Sequence, residues 1–224
     1  MSSAPLPPLP PAFGVTDADL RPGGRSMLDV LVDDHHTLAM LYEQLAADDL
    51  AAPERQPLVD VLVAVLSRHL SAEEQYLYPT VRAVLPDGDR VADHELAEDQ
   101  EMLHALRELH SVARDDPAVP ALVDAVWLRV REHCRRASRE IFPQLRERCS
   151  EQELIRLGNR VEIARAAAPS RPYPATPSTP PANKLVDPAL GVLDKVRDAV
   201  SGRTTWPEDL PAGGNRGFAG RPAG

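Results

Sequence analysis

The sequence predicts an all-α protein: an up-down-up-down four-helix bundle with an extra C-terminal helix and proline-rich flanks. Three observations lead there. Apolar residues recur every three or four positions in four successive segments. Capping and turn signals separate those segments. Of the 23 prolines, only seven fall between residues 26 and 168. That contrast isolates one unit of roughly 140 residues, large enough to bury a sizeable core. The expected organisation is an arm at 1–25, a bundle at 26–168, a proline-rich linker at 169–187, a short amphipathic helix at 188–201 and a disordered tail at 202–224.

The first helix opens at Ser26, with Asp29 three residues on in a capping-box-like start. Leu28, Leu31, His35, Leu38, Tyr42 and Leu45 form its inner stripe. His36 is turned about 100° away, towards solvent. The second helix starts near Pro53, and Leu58, Leu62, Leu66, His69, Glu73 and Tyr76 make its stripe. His69 and Glu73 stand four residues apart on one face, about 6 Å along the axis. Glu74 is expected to point outward. Pro79 lacks a backbone donor and is expected to bend or end this helix near Tyr78.

Pro86-Asp87-Gly88-Asp89 is a turn. The third helix follows, roughly 89–114, with Ala92, Leu96, Asp99, Leu103, Leu106 and His110 on its seam. A carboxylate at Asp99 on an apolar seam needs a partner. His94 and His104 fall off that seam. The fourth helix spans about 120–148, with Leu122, Val126, Val130, His133, Ala137 and Glu140 in line. Ser150 and Glu153 form a capping box for a fifth helix ending near Ala167. Leu190, Leu193, Val196 and Val200 give the last segment an apolar stripe, suited to docking on the bundle or on a partner.

The fourth helix repeats the second. His69 precedes Pro79 by ten residues, with Leu77-Tyr78 before the proline. His133 precedes Pro143 by ten, with Ile141-Phe142 before it. The repeat fails at one position, where Ala137 takes the place of Glu73. Glu140 is two turns from His133, too far to share one ion on a regular helix.

Composition limits the function. Net charge is −9, which argues against nucleic acid and anionic membrane as partners. No apolar run is long enough to span a bilayer. The N-terminus does not resemble a signal peptide. Cys134 and Cys149 suggest no disulfide framework, so a cytoplasmic, reduced chain is expected. No nucleophile–base pair is recognisable, so binding is expected in preference to catalysis.

These residues resemble the hemerythrin-like, or HHE cation-binding, family. The resemblance runs from about Asp29 to Arg148 and is carried by Asp34-His35-His36, by His69-x-x-x-Glu73-Glu74 with Leu77-Tyr78-Pro79, and by His133 with Ile141-Phe142-Pro143. Ala182–Leu185 and Val192–Asp198 also resemble a C-terminal extension seen in some relatives. The resemblance implies a four-helix bundle holding non-heme iron. In the family, one histidine from helix 1, His-x-x-x-Glu from helix 2, one histidine from helix 3 and His-x-x-x-Glu from helix 4 hold two irons. Here Asp99 replaces the third-helix histidine and Ala137 the fourth-helix glutamate. The expected metal ligands are therefore His35, His69, Glu73, Asp99 and His133, a set suited to a single iron, manganese or zinc ion. For Asp99 a salt bridge to His35 or His133 is the equal alternative. The implied function is metal binding, with binding or sensing of oxygen, peroxide, nitric oxide or iron. The alternative is a metal-free interaction or regulatory bundle that engages a protein partner through its C-terminal helix.

Overall fold

Ser26 opens the first helix as the sequence predicts. Its hydroxyl accepts the Leu28 N–H at 3.2 Å, and α1 runs Met27–Leu45. The computed structural model describes residues 24–47, 50, 52–113, 116–176, 178 and 182–210, and every regular element among them is a helix. The second rod is α2 (Ala52–Ala72), one π-helical turn (Glu73–Leu77) and α3 (Tyr78–Val84). The third is α4 (Gly88–Ser111). The fourth is α5 (Val119–Arg136), a second π turn (Ala137–Ile141) and α6 (Phe142–Arg148). α1 packs on α2, α3 on α4 and α4 on α5, which is the expected bundle.

Neither proline ends its helix. The Tyr78 N–H bonds the Glu73 carbonyl, and the Phe142 N–H bonds the Ala137 carbonyl. Each bond spans five residues, so one extra residue is accommodated just before Pro79 and Pro143. The widened turn relieves the clash that a proline ring makes with the carbonyl four residues back. The repeat seen in the sequence is thus two copies of one π-bulged helix. Both bulges begin four residues after a histidine, at Glu73 and at Ala137.

The core has two apolar halves. Leu28, Leu31, Tyr76, Leu77, Phe142 and Leu157 belong to one. Leu38, Leu66, Met102, Leu106, Val126 and Val130 belong to the other. Along each rod the polar seam residue falls between the two halves: His35 between Leu31 and Leu38, His69 between Leu66 and Tyr76, His133 between Val130 and Ile141.

α7 (Glu151–Ala167) begins with the predicted capping box at Ser150 and Glu153, and it packs on α1 and α2. α8 (Asn183–Ser201) begins five residues before the expected start, so Pro188 lies inside it. It ends at Gly202, whose φ of 66° suits a left-handed cap. The expected tail at 202–224 is corrected in its first part. Residues 203–210 fold back onto α2, where the Arg203 Nε donates to Asp60 at 3.0 Å and Leu210 is buried in the core. The Arg68 guanidinium stacks 3.9 Å above the Trp206 ring. Residues 211–224 and 1–23 lie outside the described residues. With α7 and the C-terminal segment over it, the second rod is buried on every side from Leu58 to Tyr78.

α8 docks with the face opposite to the one its periodicity suggests. Asp187, Asp194 and Asp198 face inward and are buried. Val192, Leu193, Val196 and Val200 are 52–86% exposed. The reason is the surface underneath, which is polar. Ser71 donates to Asp187 at 2.5 Å, and Arg171 pairs with Asp194 and Asp198 at 3.1 and 2.7 Å. Among the described residues, no helix is long and apolar enough to cross a membrane.

α7 approaches the start of α1 through Gly158, where an added Cβ would sit 1.9 Å from the Arg25 carbonyl oxygen. Backbone cannot yield as a side chain can, so Gly158→Ala is expected to destabilise the fold by about 1–3 kcal/mol. Urea denaturation checks this; an unchanged midpoint would show that α7 is not held at this distance.

Candidate metal centre

The polar layer between the two core halves places four side chains around one point. His35, His69, Glu73 and His133 each offer a ligand atom, and these atoms lie within 4.8 Å of one another. All four residues are at most 6% exposed. The Nε2 atoms of His69 and His133 are 3.3 Å apart. Glu73 Oε1 is 3.4 Å from His69 Nε2, and Glu73 Oε2 is 3.2 Å from His133 Nε2. Ligands about 2.1 Å from a shared ion stand about 3.0–3.4 Å apart, so these spacings suit joint coordination. His35 packs edge-on to both other imidazoles, at 4.9 and 5.4 Å between ring centroids. Its other neighbour is Phe142, stacked on it at 6.0 Å.

The protein atoms alone leave this layer partly unsatisfied. Both nitrogens of His35 and the Oε1 of Glu73 have no hydrogen-bond partner. Buried polar atoms of this kind are costly. The donor set, three imidazoles and one carboxylate, is one that iron, manganese and zinc accept. The residues therefore fit a metal ion both in type and in what they lack.

Asp99 lies outside this group. The Tyr78 hydroxyl donates to Asp99 Oδ2 at 2.6 Å and stands 3.2 Å from Glu73 Oε2. Asp99 Oδ1 is 3.7 Å from His133 Nδ1, the nitrogen that does not face the other imidazoles. His36, His94 and His104 are exposed, as their phases require. Glu140 is exposed and pairs with Arg135 at 3.3 Å, so the π turn does not bring it inward. Glu74 corrects the expectation that it points out: it is buried. The π turn shifts the helical phase at this point, and α8 covers that side with Asp187.

Four further residues surround the layer. Asp34 Oδ2 accepts from His69 Nδ1–H at 3.3 Å, and Nε2 is the nitrogen that faces the centre. Arg165 of α7 holds the other oxygen of Asp34 at 2.6 Å. Tyr78 ties Glu73 to Asp99. Glu95, one turn before Asp99 on α4, is 3.9 Å from His133 Nδ1 and accepts from Arg136 Nε at 2.9 Å. A cleft of about 300 Å³ between α4 and the fourth rod reaches the Glu95–Arg136 pair from the surface. The i,i+4 spacing of Glu95 and Asp99 on the seam of α4 was the available sequence signal for Glu95. Asp34 sits beside His35 in sequence but faces a different neighbour, and nothing in the sequence pointed to Arg165.

The charges are strongly shifted. Burial raises the Glu73 carboxyl, but the His69 and His133 imidazoles outweigh it and bring it down to about 2. Burial lowers His133, but the Glu73 carboxylate dominates and holds it up at about 9. His35 is pushed well below its ordinary value by burial and by the two neighbouring imidazoles, and so is neutral. Burial and then the Glu73 charge push Asp99 up to about 8, against the pull of His133. Burial also pushes Glu74 up to about 10. Within the protein, the proton on His133 does what a cation would do: it balances Glu73.

The chain matches the Hemerythrin HHE cation binding domain over residues 26–145. Its fold is similar to that of a solved hemerythrin HHE cation binding domain-containing protein from Mycobacterium kansasii. The TM-score is 0.54 at 20% identity, over 63% of this chain and 88% of that chain. No curated protein matches.

The pKa shifts predict how the metal-free protein responds to pH. His133 titrates higher folded than unfolded, so its contribution is complete below about pH 6.5 and lost as pH rises through about 9. Asp99, raised to about 8, works in the same direction, because the unfolded chain releases that proton near 3.8. Glu73 has the opposite sign. It stabilises above its ordinary 4.5 and loses that effect only as pH falls towards 2. Stability is therefore expected to fall between pH 6.5 and 9, by on the order of 3 kcal/mol for His133 alone. Urea midpoints across that range provide the check, and a flat or rising profile would contradict the assignment.

Proposed function

This chain belongs to the hemerythrin HHE cation-binding family, and from that premise we propose that it binds a single metal ion, iron, through His35, His69, Glu73 and His133, and uses it to bind or sense oxygen, peroxide or nitric oxide. The observation that carries the reading is the buried cluster itself, four converging ligand atoms with four of the cluster's side-chain polar atoms left without a hydrogen-bond partner. Iron in such a site would supply reversible redox change and affinity for a small ligand. The protein's own residues do the rest. Glu73 and the two Nε2 atoms present electron pairs to one point. Phe142 and the two core halves keep bulk water away from His35.

A single ion is favoured over two by the residues on the Asp99 side. Ala137 has no ligand atom, Asp99 is engaged by Tyr78, and Glu95 is engaged by Arg136. A second reading, a bundle that acts by engaging a protein, is favoured by one observation: the exposed apolar stripe of α8 at Val192, Leu193, Val196 and Val200.

Protein produced with iron supplementation is expected to carry close to one metal ion per chain, measured by elemental analysis. His69→Ala is expected to reduce metal affinity by more than about tenfold, because loss of an outer partner alone costs 10- to 100-fold. A ratio near two would overturn the single-ion reading. Protein without stoichiometric metal would overturn the metal reading and leave the partner reading standing.

A further inference from the structure

Arg165 lies twenty residues beyond the region that matches the family, on a helix outside the four-helix bundle. We infer that Arg165 is a positioning residue for the metal centre, holding the Asp34 carboxylate so that it receives the His69 Nδ1–H and fixes which nitrogen of His69 faces the ion.

The register of α7 is what makes this contact. Gly158 brings the backbone of α7 against Arg25, Ser26 and Met27 at the start of α1. From Gly158 to Arg165 is seven residues, and from Met27 to Asp34 is seven residues. Both are two turns, about 10 Å, so the helices run in parallel from a common point and bring Arg165 level with Asp34. Leu157, Val161 and Ala164 anchor the same stretch of α7 in the core. The Arg165 Nη2 then reaches Asp34 Oδ1 at 2.6 Å, and Asp34 Oδ2 remains for His69 at 3.3 Å.

Asp34 is 2% exposed. A carboxylate buried to that degree without a cation turns towards any available solvent or donor. With Arg165 in place, the carboxylate plane is fixed and its two oxygens are divided between two partners. His69 then keeps its proton on Nδ1 and its lone pair on Nε2, the atom 3.3–3.4 Å from His133 and Glu73. The fifth helix thereby belongs functionally to the centre, although none of its atoms faces the ion. The effect on affinity rests on the metal reading above. The tautomer of His69 does not, since it is a property of the metal-free protein.

The test compares full-length wild type with Arg165→Met, Arg165→Lys and Val123→Ala. Nitrogen-15 NMR of metal-free protein labelled at histidine reads the tautomer of His69. Competition between protein and a chelator reads affinity, with zinc(II) as a redox-silent probe ion. Wild type is expected to show a single Nδ1–H tautomer. Arg165→Met is expected to show a mixture and 10- to 100-fold weaker zinc binding, and Arg165→Lys to recover most of both. Val123→Ala opens the other half of the core, on α5 and away from α7, and is expected to lower the melting temperature while leaving tautomer and affinity unchanged. Should Arg165→Met not fold, Arg165→Gln, too short to grip Asp34, takes its place with the same expectation. The inference is overturned if Arg165→Met, or Arg165→Gln in its place, keeps the wild-type tautomer and affinity, or if Val123→Ala shifts them equally. If wild type takes up no zinc, the metal reading fails, and the tautomer comparison still decides the role of Arg165.

Discussion

The structure depends on one constraint: a layer of ionisable side chains crosses a dry core, and its members must satisfy one another. Asp34, His35, His69, Glu73, Glu95, Asp99 and His133 are all at most 6% exposed. An unpaired charge in such a place costs several kcal/mol, comparable with the whole stability of a domain. The layer survives by pairing at every step. Asp34 lies between Arg165 and His69, Glu73 between His69 and His133, Asp99 beside Tyr78, and Glu95 beside Arg136. His35 has no hydrogen-bond partner at either nitrogen, and Glu73 Oε1, Asp99 Oδ1 and His133 Nδ1 each lack one too. The feature that ends the pairing is also the one that most resembles an acceptor waiting for a cation.

The two π turns are the local device that builds the layer. A proline ten residues after a histidine forces an extra residue into the helix between them. In the second rod that turn begins at Glu73, which swings to face His69 and His133. In the fourth rod the same turn begins at Ala137, which has nothing to offer. The fold is thus symmetric in backbone and asymmetric in chemistry. On that side Tyr78 engages Asp99 and Arg136 engages Glu95.

Much of this was legible in the sequence. Helical phase alone placed His35, His69, Glu73, Asp99 and His133 on inward seams and His36, His94 and His104 outside, because a period of 3.6 residues holds over straight helices. Phase failed at Glu74, where the π turn adds a residue and α8 covers the resulting face. It also could not separate Asp99 from the converging group, because a seam position fixes a direction and not a partner. Asp34 and Arg165 were invisible for another reason. Their contact is set by the register between α1 and α7, which depends on one close approach at Gly158.

α8 shows most clearly where pattern reading ends. An apolar stripe is expected to face the core because burial of apolar area is the main driving force of folding. That expectation assumes an apolar surface to land on. The outer face of α2 offers Ser71, Gln75 and Arg68 instead, and the loop after α7 adds Ser170 and Arg171. Against these the acidic face of α8 is the complementary one. Asp187 takes Ser71 and Gln75, Asp194 takes Arg171 and Tyr173, and Asp198 takes Ser170 and Arg203. The polar outer face of the site helix therefore selects the orientation of the extension that buries it. With α7 and α8 in place no side of α2 faces water near Glu73, and the low-dielectric surroundings that shift the charges of the layer extend to both sides of the helix that carries it.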